Sequence, residues 1–172
     1  KVLSGAYTAD EGEIVLNGKV IEKNSPKISE ELGISMIYQE LNLVPELSIA
    51  SNVFLGHEIL KGGVLVDKRE QKQRADELLK DVGIDIDSNV LVKNLGVGTQ
   101  QMVEIIKALS KKAKVIVFDE PTSSLAQSEI DELFRIIRLL KERGVGMFYI
   151  SHRLEELYEI GDRVTVMRDG KH

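Results

Sequence analysis

The sequence predicts an α/β fold built on a mostly parallel sheet. Two apolar runs in its second half, Val115 to Phe118 and Gly146 to Ile150, have the length and composition of buried strands. A helical stripe lies between them, made of apolar residues three or four positions apart: Ile130, Leu133, Phe134, Ile137 and Leu140. Two buried strands joined by one amphipathic helix are typical of the βαβ unit of parallel sheets.

The first forty residues predict a helix end, a hairpin and another strand. Residues 1–5 have the pattern of a last helical turn closed by Gly5. Asn17-Gly18 separates two short apolar segments, which is the strongest local signal for a β-hairpin. A strand over Ile34 to Tyr38 is expected to bring Gln39 to its C-terminal end.

Residues 41–109 predict a mainly helical region. The apolar positions within Arg69 to Val82 lie on one face of a helix, and Gly83 is expected to end that helix.

The second half also carries helix boundaries and a last strand. Ser124 and Gln127 predict a capping box at the start of the helix between the two buried strands, and Gly144 is expected to end it. A final strand is expected over residues 163–168, followed by a turn at Asp169-Gly170.

Composition limits the classes of function. The 172 residues suffice for one domain with a sizeable core, and 42% hydrophobic with 30% charged residues is typical of a globular protein. The net charge of −5 and the absence of a basic stripe argue against nucleic acid as the main partner. The sequence has no cysteine, which excludes disulfides and thiolate metal sites, and no apolar run approaches the roughly 20 residues of a membrane span.

Three predicted strands end in polar residues: Gln39, the pair Asp119-Glu120, and His152. Ligands of open parallel sheets lie outside the carboxyl ends of the strands. An acid at such a strand end can hold Mg²⁺ that bridges nucleotide phosphates, and a second acid can orient or deprotonate an attacking water. Each of these residues taken alone is more often an ordinary solvated loop residue, so their convergence is what points to a site.

A glycine-flanked segment, Leu95 to Gln101, precedes a helical stretch over Met102 to Leu109. Backbone N–H groups at a helix N-terminus form an anion site. A glycine-rich helix start without a ligand is an equally good interpretation of this segment alone.

Taken together, these segments resemble the ABC ATPase family, whose fold is a P-loop NTPase-like α/β sheet with a helical signature subdomain. Gln39 matches its Q-loop, Leu95 to Gln101 its signature, Val115 to Pro121 its Walker B strand, Ser123 to Ala126 its D-loop and His152 its switch histidine. The separations agree as well, with 59 residues from Gln39 to Gly98, 21 from Gly98 to Asp119 and 32 from Glu120 to His152. The resemblance divides the chain into a helical subdomain at about 41–109 and a catalytic core at about 1–40 and 110–172.

Several segments are similar to the monosaccharide importers of this family, the group that handles ribose, xylose and galactose or methylgalactoside. They are residues 34–43, 52–56, 100–105 and 149–153. Residues 84–87 and 140–144 favour the galactoside type. Proteins of this group carry two ATPase domains in one chain, and the present sequence resembles the first.

The resemblance implies a role for each matched residue. ATP and Mg²⁺ are the implied ligands, with Asp119 and Gln39 supporting the metal, Glu120 polarising water and His152 sensing the γ-phosphate. The signature residues, Gly96, Val97, Gly98, Thr99 and Gln100, are expected to cap ATP bound to a second ATPase domain in a head-to-tail dimer. The other implied partners are membrane permease subunits and, indirectly, a periplasmic sugar-binding protein, which places the ATPase on the cytoplasmic face of a bacterial membrane.

The sequence also departs from the family pattern. The Walker A pattern Gly-x-x-x-x-Gly-Lys-Ser/Thr does not occur in it, and we expect the P-loop strand and P-loop to lie upstream of Lys1. Gly96 stands at the usual signature serine, Thr99 at the usual glutamine and Ala126 at the usual D-loop aspartate. We therefore expect the 172 residues alone to bind ATP poorly and to be marginally stable or prone to aggregate.

Two other functions stay open from the residues. A nucleic-acid-acting ABC ATPase is disfavoured because the sequence sustains no heptads and has a compact Q-loop-to-signature interval. A non-catalytic interaction module, in which the helical region docks to a membrane protein, is favoured by the absent Walker A pattern.

Overall fold

The computed structural model describes residues 1–22 and 24–168. Its strands fall into one parallel sheet and two hairpins. They are β1 (Val15–Leu16), β2 (Lys19–Val20), β3 (Ile34–Ile37), β4 (Leu60–Lys61), β5 (Leu65–Val66), β6 (Val115–Asp119) and β7 (Gly146–Ile150). The parallel sheet has the order β3-β6-β7, which confirms the βαβ unit predicted for the second half of the chain.

Six α-helices and one short 3₁₀ segment accompany these strands among the described residues. They are α1 (Pro26–Glu31), α2 (Ile49–Val53), α3 (Lys68–Asp81), the 3₁₀ turn Val92–Asn94, α4 (Val97–Ser110), α5 (Gln127–Glu142) and α6 (Leu154–Ile160). The predicted helix over residues 69–82 is confirmed as α3, and Gly83 follows it with a φ of +79°.

The first residues adopt the predicted helix end. The amide of Ala6 donates to the carbonyl of Lys1 at 3.0 Å, and that of Gly5 donates to Val2 at 2.9 Å. This pair of bonds is the Schellman motif, which requires a left-handed residue, and Gly5 has a φ of +73°. Asn17-Gly18 likewise forms the predicted hairpin turn, with φ values of +51° and +76°.

Two local predictions are wrong, and one hairpin was missed. Residues 163–167 are irregular, and Val164, Val166 and Met167 stay exposed, because this segment meets no packed face within the described part of the chain. The predicted turn at Asp169-Gly170 lies outside the described residues. Helix α5 starts after Ala126 without the Ser124–Gln127 capping box; the Glu129 carboxylate accepts the Ala126 amide instead. The hairpin β4-β5 was not predicted, although Gly62-Gly63 at its turn is the kind of signal that marks one.

One hydrophobic core joins the sheet to the helices. Phe118 and Phe134 lie at its centre, and both rings contact the Tyr149 ring, at centroid distances of 6.0 Å and 6.2 Å. Helix α4 packs beside β3, and α2, α3 and α4 pack together. The proposed division into a helical subdomain at 41–109 and a core stays a prediction.

The strand β7 leaves large side chains in solvent. Phe148 is 57% and Ile150 48% exposed, while their neighbours Met147 and Tyr149 pack against the core. Exposed apolar residues on a sheet strand favour aggregation, in line with the low stability that we expect of the isolated chain.

Gly5 and Gly12 provide a test of the first turn. Replacing Gly5 by Ala should lower the free energy of unfolding by about 2 to 5 kcal/mol, because a left-handed alanine costs ~1–2 kcal/mol and overpacking adds ~1–3 kcal/mol. The added Cβ would lie 2.2 Å from the Ser25 carbonyl carbon. Urea unfolding measures the loss.

Gly12→Ala is the matched control. Gly12 has a φ of +84°, but a Cβ added there would have nothing within 4 Å, so only about 1 kcal/mol should be lost. Equal losses in the two variants would contradict the close packing of Gly5 on Ser25.

Candidate active site

The register of the parallel sheet brings the predicted site residues to one edge. Ile37 of β3 pairs with Phe118 of β6, and Asp119 pairs with Ile150 of β7. The strands therefore end at the same level, and Gln39, Glu120 and His152 lie within two residues of those ends. The convergence expected from the sequence is present in the structure.

Glu120 and His152 form the closest pair at this edge. The His152 Nδ1 lies 3.5 Å from the Glu120 Oε1, and the two side chains are 71% and 34% exposed, respectively. A carboxylate and an imidazole so placed, both open to solvent, can orient and deprotonate a water molecule.

The backbone of Glu120 is unusual. Its φ is +49°, a left-handed conformation that costs a glutamate about 1 kcal/mol or more. Its amide donates to the Ile150 carbonyl at 3.0 Å, which continues the β6–β7 pairing by one residue and holds the strained turn. The chain thus turns sharply at Glu120, directly after the last residue of β6.

Gln39 and Asp119 line a shared cleft of about 740 Å³ beside β3. Amide and carboxylate oxygens are the ligands that Mg²⁺ prefers, so the donor set of the cleft fits a magnesium ion that takes its remaining ligands from water or phosphate. No group of three or more His, Cys, Asp or Glu residues suited to a metal was found within residues 1–22 and 24–168.

Glu156, which the sequence analysis missed, anchors the loops behind this edge. Its side chain is only 3% exposed and accepts hydrogen bonds from Thr122 Oγ1 at 2.7 Å, Ser151 Oγ at 2.8 Å and Tyr149 OH at 2.9 Å. The Arg153 guanidinium lies 3.0 Å away. Burial and the Glu156 charge raise the pKa of the Tyr149 hydroxyl, so it stays a donor.

These contacts tie both sides of the site to one carboxylate. Thr122 is two residues after Glu120, and Ser151 directly precedes His152. Glu156 therefore fixes the loop of the acid and the loop of the histidine relative to each other. In the sequence, Glu156 is an acid four residues after His152, at the start of a short helix. That pattern does not distinguish it from its neighbour Glu155.

The signature segment is folded differently from expectation. Helix α4 begins at Val97 rather than near Met102, so Val97, Gly98 and Thr99 form its first turn. The Gln100 amide already donates to the Gly96 carbonyl at 3.0 Å. The backbone N–H of Gln100 is therefore not available to an anion. Only the backbone N–H groups before Gln100, at the first turn of α4, remain as candidate donors.

Helix α4 also holds the segment that follows Gln39. The Glu104 Oε1 accepts the Asn42 amide at 2.9 Å, and the Lys107 ammonium donates to the Asn42 carbonyl at 3.0 Å. Glu104 is 7% exposed, and burial raises the pKa of its carboxyl. Glu104 and Lys107, one helical turn apart, thus both bind the backbone of Asn42, three residues after Gln39.

Within the described residues, no helix has the length and apolar character needed to cross a membrane.

The anchoring role of Glu156 is testable by Glu156→Gln. A glutamine presents an amide donor to hydroxyl donors and loses the charge that faces Arg153, so the free energy of unfolding should fall by about 2 to 4 kcal/mol in urea denaturation. Glu155→Gln, at the exposed neighbour, is the control and should change the free energy of unfolding by no more than about 0.5 kcal/mol. A Glu156→Gln protein as stable as the control would show that Glu156 does not hold the two loops.

The buried Glu104 predicts a pH dependence of stability. Its raised pKa means that the folded state binds the proton more tightly than the unfolded state, so stability falls as the pH rises above the ordinary value of 4.5. Glu104→Gln keeps an oxygen for the Asn42 amide and removes the charge, so the fall between pH 4.5 and pH 7 should be smaller. Urea unfolding at several pH values measures this dependence, with the exposed Glu142→Gln as control. Equal slopes of the free energy of unfolding against pH in all the proteins would refute the prediction.

Comparison with known proteins identifies the family. Residues 1–123 match the ABC transporter family. The ribose import ATP-binding protein RbsA 1 of Rubrobacter xylanophilus is 52% identical over 171 residues, which cover 99% of this chain and 34% of that protein. The arabinose import ATP-binding protein AraG of Vibrio parahaemolyticus is 49% identical over 172 residues, which cover 100% of this chain and 34% of that protein.

The chain thus spans about a third of the length of these curated relatives. A solved structure of a nucleotide-free ATP-binding cassette from an ABC transporter superposes with a TM-score of 0.85 at 24% identity, covering 99% of this chain and 71% of that chain. This likeness confirms the predicted fold class. With its sheet, its strand-end residues and its relatives in agreement, the chain belongs to the ABC transporter family.

Proposed function

We propose that this chain is the hydrolytic part of an ATP-binding subunit that powers monosaccharide import. The observation that carries the proposal is the Glu120–His152 pair, 3.5 Å apart, at the strand edge that Asp119 shares. Carboxylate and imidazole at the end of a parallel sheet are suited to activating water beside a bound phosphate.

Each site residue has a proposed part in hydrolysis. Glu120 orients the water whose oxygen attacks the γ-phosphorus and accepts its proton, while the bond to the β–γ bridging oxygen breaks and ADP leaves. His152 contacts the γ-phosphate from the neighbouring strand end. Asp119 and Gln39 would hold Mg²⁺, which when bound neutralises charge on the phosphates.

The signature helix serves a second ATPase domain in this proposal. Gly96 and Val97 are exposed at the N-terminus of α4, where backbone donors and the helix dipole favour an anion. Together with Gly98 and Thr99 they would cap ATP held by the partner in a head-to-tail dimer. Gln100, whose amide donates to the Gly96 carbonyl, would support this turn from within the helix. Relatives about three times as long as this chain leave room for that second domain in the same polypeptide.

The transported substrate and the other partners are proposed from the relatives. Relatives named for ribose and arabinose import, 52% and 49% identical, support a monosaccharide. Membrane permease subunits would then dock on the helical region at 41–109, a periplasmic sugar-binding protein would act indirectly, and the domain would lie on the cytoplasmic face of the membrane. Nucleic acid has no part in this function, which agrees with the net charge of −5.

A chimera tests the activity. The P-loop strand, P-loop and following helix of the Rubrobacter xylanophilus relative, placed before Lys1, should give Mg²⁺-dependent ATP hydrolysis. Glu120→Gln should lower kcat about 10²- to 10⁴-fold with ATP binding retained, because it removes the acceptor of the water proton. Phosphate release measures the rate, and fluorescent-nucleotide titration measures binding.

Glu142→Gln, on the exposed end of α5, is the control and should hydrolyse ATP like the parent chimera. Unchanged turnover in Glu120→Gln would remove Glu120 from the mechanism. A folded chimera that binds no ATP would favour the interaction-module alternative.

A further inference from the structure

The signature helix lacks a cap of its own. Three other helices begin with a side chain that accepts the amide three residues on: Ser25 for α1, Ser48 for α2 and Asp67 for α3. Helix α4 begins after Gly96, which has no side chain to offer. Its first-turn amides therefore need an acceptor from elsewhere in the molecule.

Glu129 supplies that acceptor from the first turn of α5. Its Oε1 accepts the Gly98 amide at 3.1 Å, across a separation of 31 residues, and its Oε2 accepts the Ala126 amide at 2.9 Å. One carboxylate thus serves the N-termini of two helices, α4 and α5. It also joins the signature segment to the segment Ser123 to Ala126 that matches the D-loop.

The contact depends on a small residue at position 98. A Cβ at Gly98 would lie 2.4 Å from both the Cδ and the Oε1 of Glu129, so any larger residue would push the carboxylate away from the amide. Gly98 is buried, although Gly96 and Val97 just before it are exposed. The Glu129 side chain therefore helps to cover an amide at an otherwise open helix end.

The contact uses both oxygens of the carboxylate. One N–H donor faces each of them, the Gly98 amide at Oε1 and the Ala126 amide at Oε2. A glutamine of the same shape has one acceptor oxygen and would turn an amide donor toward the second N–H group.

We propose that Glu129 is a positioning residue that occupies the anion position of the signature helix, and that the phosphate of a partner domain's nucleotide reaches the Gly98 amide only by displacing it. The first part stands on the contacts within this chain. The second part rests on the proposed function, in which the signature helix caps ATP bound to another domain. Without nucleotide, the Glu129 carboxylate thus occupies the Gly98 amide, and nucleotide must compete with it for that amide.

The first part is tested on the 172-residue chain with Glu129→Gln, Gly96→Ser and the double variant. In Glu129→Gln the Gly98 amide should exchange with solvent at least about tenfold faster by NMR, and Tm should fall by about 2 to 4 °C. A serine at 96 meets open space and can cap the first turn of α4, so Gly96→Ser should restore part of the lost Tm in the Glu129→Gln background. The loss at the Ala126 amide of α5 should remain.

Glu142→Gln, in the same helix, is the control and should change neither measurement. Unchanged Gly98 exchange in Glu129→Gln would overturn the proposal. A Tm loss that Gly96→Ser leaves in full would also contradict it, because Glu129 would then stabilise the chain by some means other than capping α4.

The second part is tested in the P-loop chimera carrying Glu120→Gln, which binds ATP without turnover under the proposed function. Adding Glu129→Gln should lower the ATP concentration for half-maximal dimerisation, measured by light scattering, about fivefold or more, because nucleotide no longer competes with a carboxylate. An equal or higher ATP concentration at half-maximal dimerisation would show that Glu129 does not compete with nucleotide for the signature helix. A chimera that binds no ATP would refute the proposed function, and the exchange of Gly98 would still decide the capping role.

Discussion

The parallel pairing of β3, β6 and β7 is the constraint on which the site depends. Parallel strands in register end at one edge, so residues separated by more than a hundred positions meet there without any contact that is specific to them. Gln39 reaches the edge from β3, Asp119 and Glu120 from β6, and His152 from β7. The helix α5 makes this geometry possible, because a parallel connection requires a crossover, and its buried face packs on the strands that it joins.

Three carboxylates then attach the surrounding loops to that edge. Glu156 holds the segments after Glu120 and before His152, Glu104 holds Asn42 after the Q-loop residue Gln39, and Glu129 holds the signature helix to the start of α5. Each accepts hydrogen bonds from donors of loops or helix ends, which ties those segments to the helix that carries the carboxylate. The segments assigned to nucleotide chemistry are thus linked to one another through side chains that need not touch the nucleotide.

Much of the fold and of the strand-end cluster could be predicted from sequence, because the signals are local. Hydrophobic periodicity located α3 and α5, Asn17-Gly18 located the first hairpin, and apolar runs located β6 and β7. Predictions failed where a local pattern needed a distant partner. Alternation over residues 163–167 meets no packed face within the described part of the chain. Helix α4 begins at Val97 rather than near Met102, at a turn where Glu129 of another helix accepts the Gly98 amide.

Periodicity, turn residues and spacing along the chain are enough to predict the class of fold, the principal helices and strands, and the candidate residues at the strand ends. Which carboxylates hold the site together depends instead on packing between distant segments. Glu104, Glu129 and Glu156 are ordinary helical acids by sequence, and their roles come from donors 62, 31 and 34 residues away. Burial and hydrogen bonding across such separations are properties of packing, which no local pattern records.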